Sequence, residues 1–278
     1  MNKKIGIVGL GVIGGSLAKA IKAFTKHIVW GYDADNETMH RALSEGAIDA
    51  KLHEQNYSQC DIILIALYPQ ATIRFFKDHL ELFRKGTVII DCAGVKREIC
   101  SELSGLADRA GLYFIGGHPM AGIEKSGYQN SMAGLFKGAY MILCQEPHTN
   151  MVAIKSAERF FLSIGFAEIT ITTAEEHDKT IAYTSQLAHL VSNAYVKSPT
   201  ALLQKGFSAG SYKDLTRVAN LNEEMWSELF MANSQFLLGE AEALIVRLEE
   251  YISALKQGDQ NELKELLRQG RLAKQQAQ

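Results

Sequence analysis

The chain has 278 residues, 47% apolar and 22% charged, enough for one large or two modest domains with a proper core. Its 29 Lys and Arg stand against 31 Asp and Glu, a net charge of −2, so no electrostatic argument calls for nucleic acid or an anionic membrane as partner. This composition excludes disordered, collagen-like and disulfide-scaffold classes. The four cysteines, Cys60, Cys92, Cys100 and Cys144, include no C-x-x-C pair and read as reduced thiols of a cytoplasmic protein. The longest apolar run, 62–68, is far short of the ~20 residues of a membrane helix.

Positions 5–8 read as a short buried strand, and 16–24 show helical spacing of Leu17, Ala20, Ile21 and Phe24. Between them runs Gly9-Leu10-Gly11-Val12-Ile13-Gly14, a G-x-G-x-x-G turn in a strand-to-helix context. Gly9 permits the tight turn, Gly11 lets backbone approach a pyrophosphate, and Gly14 allows close helix–strand packing. The helix start then offers free N–H groups, at Val12 and Ile13 among others, to the phosphates. Lys3 and Lys4 before an apolar stretch mimic a secretory signal, but five glycines between positions 6 and 15 make a poor signal core. A second strand, 28–32, ends at Asp33, 19 residues after Gly14. A carboxylate there accepts both adenosine ribose hydroxyls and repels a 2′-phosphate, so NAD is expected rather than NADP.

Strand and helix continue to alternate. Helices are expected over 36–44, 71–83, 96–109 and 151–164, and strands over 61–68, 87–92, 112–115, 140–144 and 167–172. Ala66 and Tyr68, at the carboxyl end of their strand, are further candidates for cofactor contact. This alternation implies an α/β fold with a Rossmann-type, doubly wound parallel sheet. The pattern changes at residue 172. Thr173-Ala174-Glu175-Glu176 is a capping box opening a long helix toward Lys197. A single helix of more than thirty residues is expected over 223–255, and Asp259 caps a last amphipathic one. Two domains are therefore expected: 1–172, binding the dinucleotide, and 173–278, all-helical. The apolar length of 223–255 predicts a homodimer through the helical half.

Such a plan places the active site in the cleft between the halves, at the carboxyl ends of the strands. His118 follows Gly116-Gly117 and precedes Pro119, which reads as a rigid loop, and its near-neutral pKa suits general-base work. His27, His40, His53, His79 and His148 have no such setting and read as surface residues. Ser185, Gln186 and His189 share one helical face, where His189 reads equally as a site residue or a core histidine. Arg217, in Asp214-Leu215-Thr216-Arg217, reads as a two-pronged carboxylate clamp or as a plain surface arginine. No metal site is expected.

These segments, with Asp91-Cys92-Ala93-Gly94-Val95-Lys96, His118-Pro119-Met120-Ala121-Gly122 and 212–226, resemble the prephenate dehydrogenase family over essentially the whole chain. The resemblance implies NAD-dependent oxidative decarboxylation of prephenate to 4-hydroxyphenylpyruvate. It gives His118 the ring hydroxyl, and makes His189 and Arg217 substrate-binding residues, with Ser185, Gln186 and Gly94 beside them. Gly94 stands where the family usually has a serine that supports the catalytic histidine, and Gln186 and Ala188 replace a common His and Pro. Neither the regulatory ACT domain of some relatives nor a fused chorismate mutase is expected. The alternatives are arogenate dehydrogenase, a β-hydroxyacid or imine-type reductase, and a non-catalytic dinucleotide-sensing protein.

Overall fold

The computed structural model describes residues 2–147 and 149–277, so the expectation for His148 lies outside the described residues. The N-terminal half runs β1 (Lys4–Val8), α1 (Val12–Phe24), β2 (Ile28–Tyr32), α2 (Asn36–Ser44), β3 (Ala50–Lys51), β4 (Ile62–Ile65), α3 (Pro69–His79), β5 (Val88–Asp91), α4 (Arg97–Ala110), β6 (Tyr113–Met120), β7 (Tyr140–Cys144), α5 (Met151–Ser163) and β8 (Glu168–Thr172). The eight strands form one sheet in the order β3-β2-β1-β4-β5-β6-β7-β8.

Alternation along the strands builds a core on each face. Ile62, Leu64 and Ile90 pack with Leu17, Ile21 and Phe161 on one side. Ile63, Ile65 and Ile89 pack with Phe76, Ile99 and Leu103 on the other. Each fully buried Ile, Leu or Phe contributes about 1.5–3 kcal/mol, which is why these strands read as unbroken apolar runs.

The sheet is not parallel throughout, as the sequence led us to expect: β6 and β7 are antiparallel. The connection between them contains a short 3-10 turn, Tyr128–Asn130, and no crossover helix, so the chain returns without the excursion a parallel neighbour needs. His118 also departs from expectation, lying inside β6 opposite Ile142 rather than on a loop.

The helical half comprises α6 (Ala174–Ile181), α7 (Ala188–Tyr195), α8 (Gly210–Thr216), α9 (Glu223–Ala232), α10 (Ser234–Gln257) and α11 (Gln260–Gln276). A wide π-helical turn, Ala182–Leu187, joins α6 to α7. The single helix expected over 223–255 is instead two, bent by 93° at Asn233. The cause is tertiary. The buried Asn233 amide donates to the Asp178 carbonyl and to Gln186 Oε1, both at 2.8 Å, and takes a non-helical backbone to do so. Among the described residues no single helix is long and apolar enough to cross a membrane.

Candidate active site

The glycine turn after β1 has the geometry its spacing requires. Gly9 has φ +85°, and a Cβ there would lie 2.5 Å from the Ala66 carbonyl oxygen. A Cβ on Gly14 would lie 1.8 Å from the Gly9 oxygen, so only hydrogen fits between α1 and β1. A Cβ on Gly11 would meet nothing within 4 Å. Gly11 is also the N-cap of α1, which has neither a side-chain cap nor an acidic residue in its first turn. An uncapped helix start facing open space, with its positive dipole end uncompensated, fits a pyrophosphate.

Asp33 follows β2. Its Oδ2 accepts from Leu10 N at 2.7 Å and its Oδ1 from Asp35 N at 2.9 Å, which aims the carboxylate beside the glycine turn with lone pairs left on both oxygens. Ala66 is bonded through its N–H to the Val8 oxygen and walls the turn, while Tyr68 caps α3 and is exposed. The turn therefore fits a dinucleotide.

His118 is half-buried near the carboxyl end of the sheet. Its Nε2 faces Gly94, 3.9 Å from where a Cβ on that glycine would lie, and no hydrogen bond to it is present among the described residues. Its Nδ1 is 2.9 Å from Nε2 of His177, a buried residue of α6. His177 Nδ1 is in turn 2.7 Å from Asp178 Oδ1. Asp178 is buried and reaches across to the other half, where it accepts from Lys96 N and Arg97 N, both at 2.8 Å, and so caps α4. Below lies a buried ion pair, Lys96 with Asp91, whose carboxylate also accepts from Ala93 N and Gly117 N. Burial works against the Lys96 ammonium, but the adjoining Asp91 carboxylate outweighs it and keeps the amine charged.

His118 is held well below the ordinary imidazole value of 6.5, first by burial and then by His177 and the Lys96 charge. It is neutral at neutral pH. His177 is the neighbour of His118 that sequence reasoning missed. It sits in the first turns of a capped helix, and only its contact with a residue 59 positions earlier sets it apart.

The other candidates divide. His189 is half-buried and stacks on Trp226 at 4.1 Å; its Nδ1 donates to the Ser185 carbonyl at 2.9 Å, leaving Nε2 to accept. Ser185 is half-buried in the π-helical turn. Gln186 does not face a ligand. It is 2% exposed, and its amide donates to the Leu229 carbonyl and accepts from Asn233, so it pins the α9–α10 corner rather than binding substrate. Arg217 ends α8 with a side chain 70% exposed, 3.8 Å from Glu124 on the loop that follows β6. It therefore lies against the loop that follows the strand carrying His118.

The family model for the prephenate dehydrogenase nucleotide-binding domain matches residues 17–170, and that for the prephenate dehydrogenase dimerization domain matches 173–269. This chain belongs to the prephenate dehydrogenase family. A prephenate dehydrogenase of Lactococcus lactis is 30% identical over 98% of this chain and 77% of its own length. The structure of prephenate dehydrogenase from A. aeolicus, in complex with hydroxyphenyl propionate and NAD+, is similar at a TM-score of 0.85 and 25% identity, covering 100% of this chain and 99% of that one. A Synechocystis arogenate dehydrogenase is similar at 0.83 and 25% identity, covering 99% and 100%. This member of the prephenate dehydrogenase family is an NAD-dependent dehydrogenase, and the geometry of its glycine turn and Asp33 fits such a cofactor.

Proposed function

We infer that this enzyme oxidises prephenate, releasing CO2 and 4-hydroxyphenylpyruvate, as a step in tyrosine biosynthesis in the cytoplasm. In this reading residues 1–172 hold NAD and 173–278 supply the substrate contacts. The observation that carries it is His118: a neutral imidazole with an unengaged Nε2 beside Gly94, on the strand next to the one that ends at Asp91. NAD, when bound, accepts a hydride. Nε2 of His118 accepts the proton of the ring hydroxyl while the hydrogen on the same carbon departs with its electron pair, leaving a carbonyl. The bond to the ring carboxylate then breaks as CO2, and its electrons make the ring aromatic. The resulting phenolate takes a proton back, so no net proton is consumed. Rearomatisation supplies most of the driving force, which leaves the protein mainly with positioning and one proton transfer.

His189 Nε2 and Arg217 are the substrate's other contacts in this reading, with Arg217 on a carboxylate. The likeness to an arogenate dehydrogenase supports a second reading, the same chemistry on the amino analogue, which differs only at the side-chain end. NADH formation followed with prephenate and arogenate side by side, each with NAD and NADP, decides between them. Faster turnover of arogenate would replace the first reading by the second.

A further inference from the structure

The role given to His118 requires one tautomer, with the lone pair on Nε2 and the proton on Nδ1. Residue 94 cannot select it, because glycine has no side chain to donate or accept. The selection comes from the opposite side of the ring. Main-chain N–H groups of Lys96 and Arg97 can only donate, so they orient both oxygens of Asp178 as acceptors. His177 Nδ1, 2.7 Å from Asp178 Oδ1, is therefore the donor of that pair. A neutral imidazole with its proton on Nδ1 carries its lone pair on Nε2. That lone pair lies 2.9 Å from His118 Nδ1, which must then hold the proton.

The surroundings agree. Burial keeps His177 below the ordinary imidazole value against the pull of Asp178, so its Nε2 is unprotonated at neutral pH. Lys96 and Asp91, which also face the ring, are paired with each other.

We propose that His177 and Asp178 form a positioning dyad that locks His118 in the Nδ1–H tautomer and presents its Nε2 as the base, the support that the side chain at position 94 does not provide. The dyad rests on the reading of His118 as the base. It also ties the two halves together, since the carboxylate that sets the tautomer is the one that caps α4 of the other half.

Long-range nitrogen–proton correlation spectra of histidine-labelled enzyme at neutral pH test this directly, with the His118 signals assigned by their loss in His118→Ala. The expected result is a protonated Nδ1 and a bare Nε2; the opposite tautomer, or an even mixture, overturns the proposal. In kinetics, His177→Leu removes the acceptor and should lower kcat roughly 10–10²-fold, less than the loss of the base itself. KM for NAD and for prephenate should stay within about twofold, because His177 is buried and spends its ring nitrogens on His118 and Asp178. His177→Gln, whose amide oxygen can take the place of Nε2, should recover most of the loss. Unchanged kcat in His177→Leu, or no recovery in His177→Gln, also overturns it. If His177→Leu does not fold, the spectrum of the unmodified enzyme decides alone. Undiminished kcat in His118→Ala would sink the reading of His118 as base, a separate result from the tautomer measurement.

Discussion

Around His118, burial, the His177 ring and the Lys96 ammonium all penalise a proton on the imidazole. The base proposed for His118 is its unprotonated form, so lowering this pKa widens the expected active range toward acid. We expect kcat/KM to stay level as pH falls through 6.5, where an ordinary histidine base would begin to fail, and to drop only well below it. A pH profile with its acid limb centred at 6.5 or above would contradict this. His118→Ala should lower kcat roughly 10²–10⁴-fold while leaving NAD affinity intact. The role proposed for Asp33 rests on charge and on hydrogen bonding. Asp33→Ala should weaken NAD use and remove the repulsion of a 2′-phosphate, narrowing the preference for NAD over NADP. Equal kinetics with both cofactors in the unmodified enzyme would show that Asp33 does not discriminate. Arg217 is more open than its proposed role would suggest, and water screens its contacts. Arg217→Ala should therefore raise the prephenate KM about tenfold, equivalent to about 1.4 kcal/mol, with kcat and NAD affinity nearly unchanged. A shift in NAD affinity instead would place Arg217 on the wrong ligand.

The turn from β5 into α4 holds Gly94 beside His118, and at its base lies the fully buried Lys96–Asp91 pair. Lys96→Met leaves Asp91 unpaired in the core, where burial already pushes its carboxyl up, and should cost about 3–5 kcal/mol of stability, read as a fall in the denaturation midpoint. A companion Asp91→Leu change should return part of that loss, and its failure to do so would mean the pair is not what the turn depends on. Neither residue's burial was visible in the sequence, where Asp91-Cys92-Ala93-Gly94-Val95-Lys96 stood out only by resemblance. Elements set by local pattern were legible: β2, α2 and β7 have the expected bounds, because alternation, caps and glycines decide them. Those set by distant contacts were not. Gly116, Gly117 and Pro119 read as strand breakers, yet β6 runs through them, because β5 pairs only with 113–115 and Pro119 needs no N–H on that side. The continuous 3.6-residue pattern over 223–255 concealed the corner at Asn233, which exists only through Asp178 and Gln186. The same separation in sequence hid His177 from His118, while the glycine turn and Asp33, being local, were plain.

At the scale of the molecule, α10 leaves an apolar stripe that nothing else in the described chain covers. Leu238, Ile245 and Ile252 recur every seven residues, Leu248 and Leu255 lie beside them, and all are about half-exposed or more. The 24-residue helix is about 36 Å long, so the stripe is an extended face and not a scatter of single exposed leucines. The domain containing it matches the family's dimerization model. A second copy of the chain is the natural cover, since a self-complementary stripe pairs with itself across a two-fold axis. Half-burying each such side chain contributes about 1 kcal/mol, so the stripe works as a whole and no single leucine decides it. Light scattering at micromolar concentration should therefore show a dimer. Ile245→Glu with Ile252→Glu puts two charges where a partner would have to desolvate them, at a cost of several kcal/mol each, and should give a folded monomer with an unchanged helical circular dichroism spectrum. A stable monomer of the unmodified chain, or a dimer indifferent to both glutamates, would show that this face is not the one that pairs.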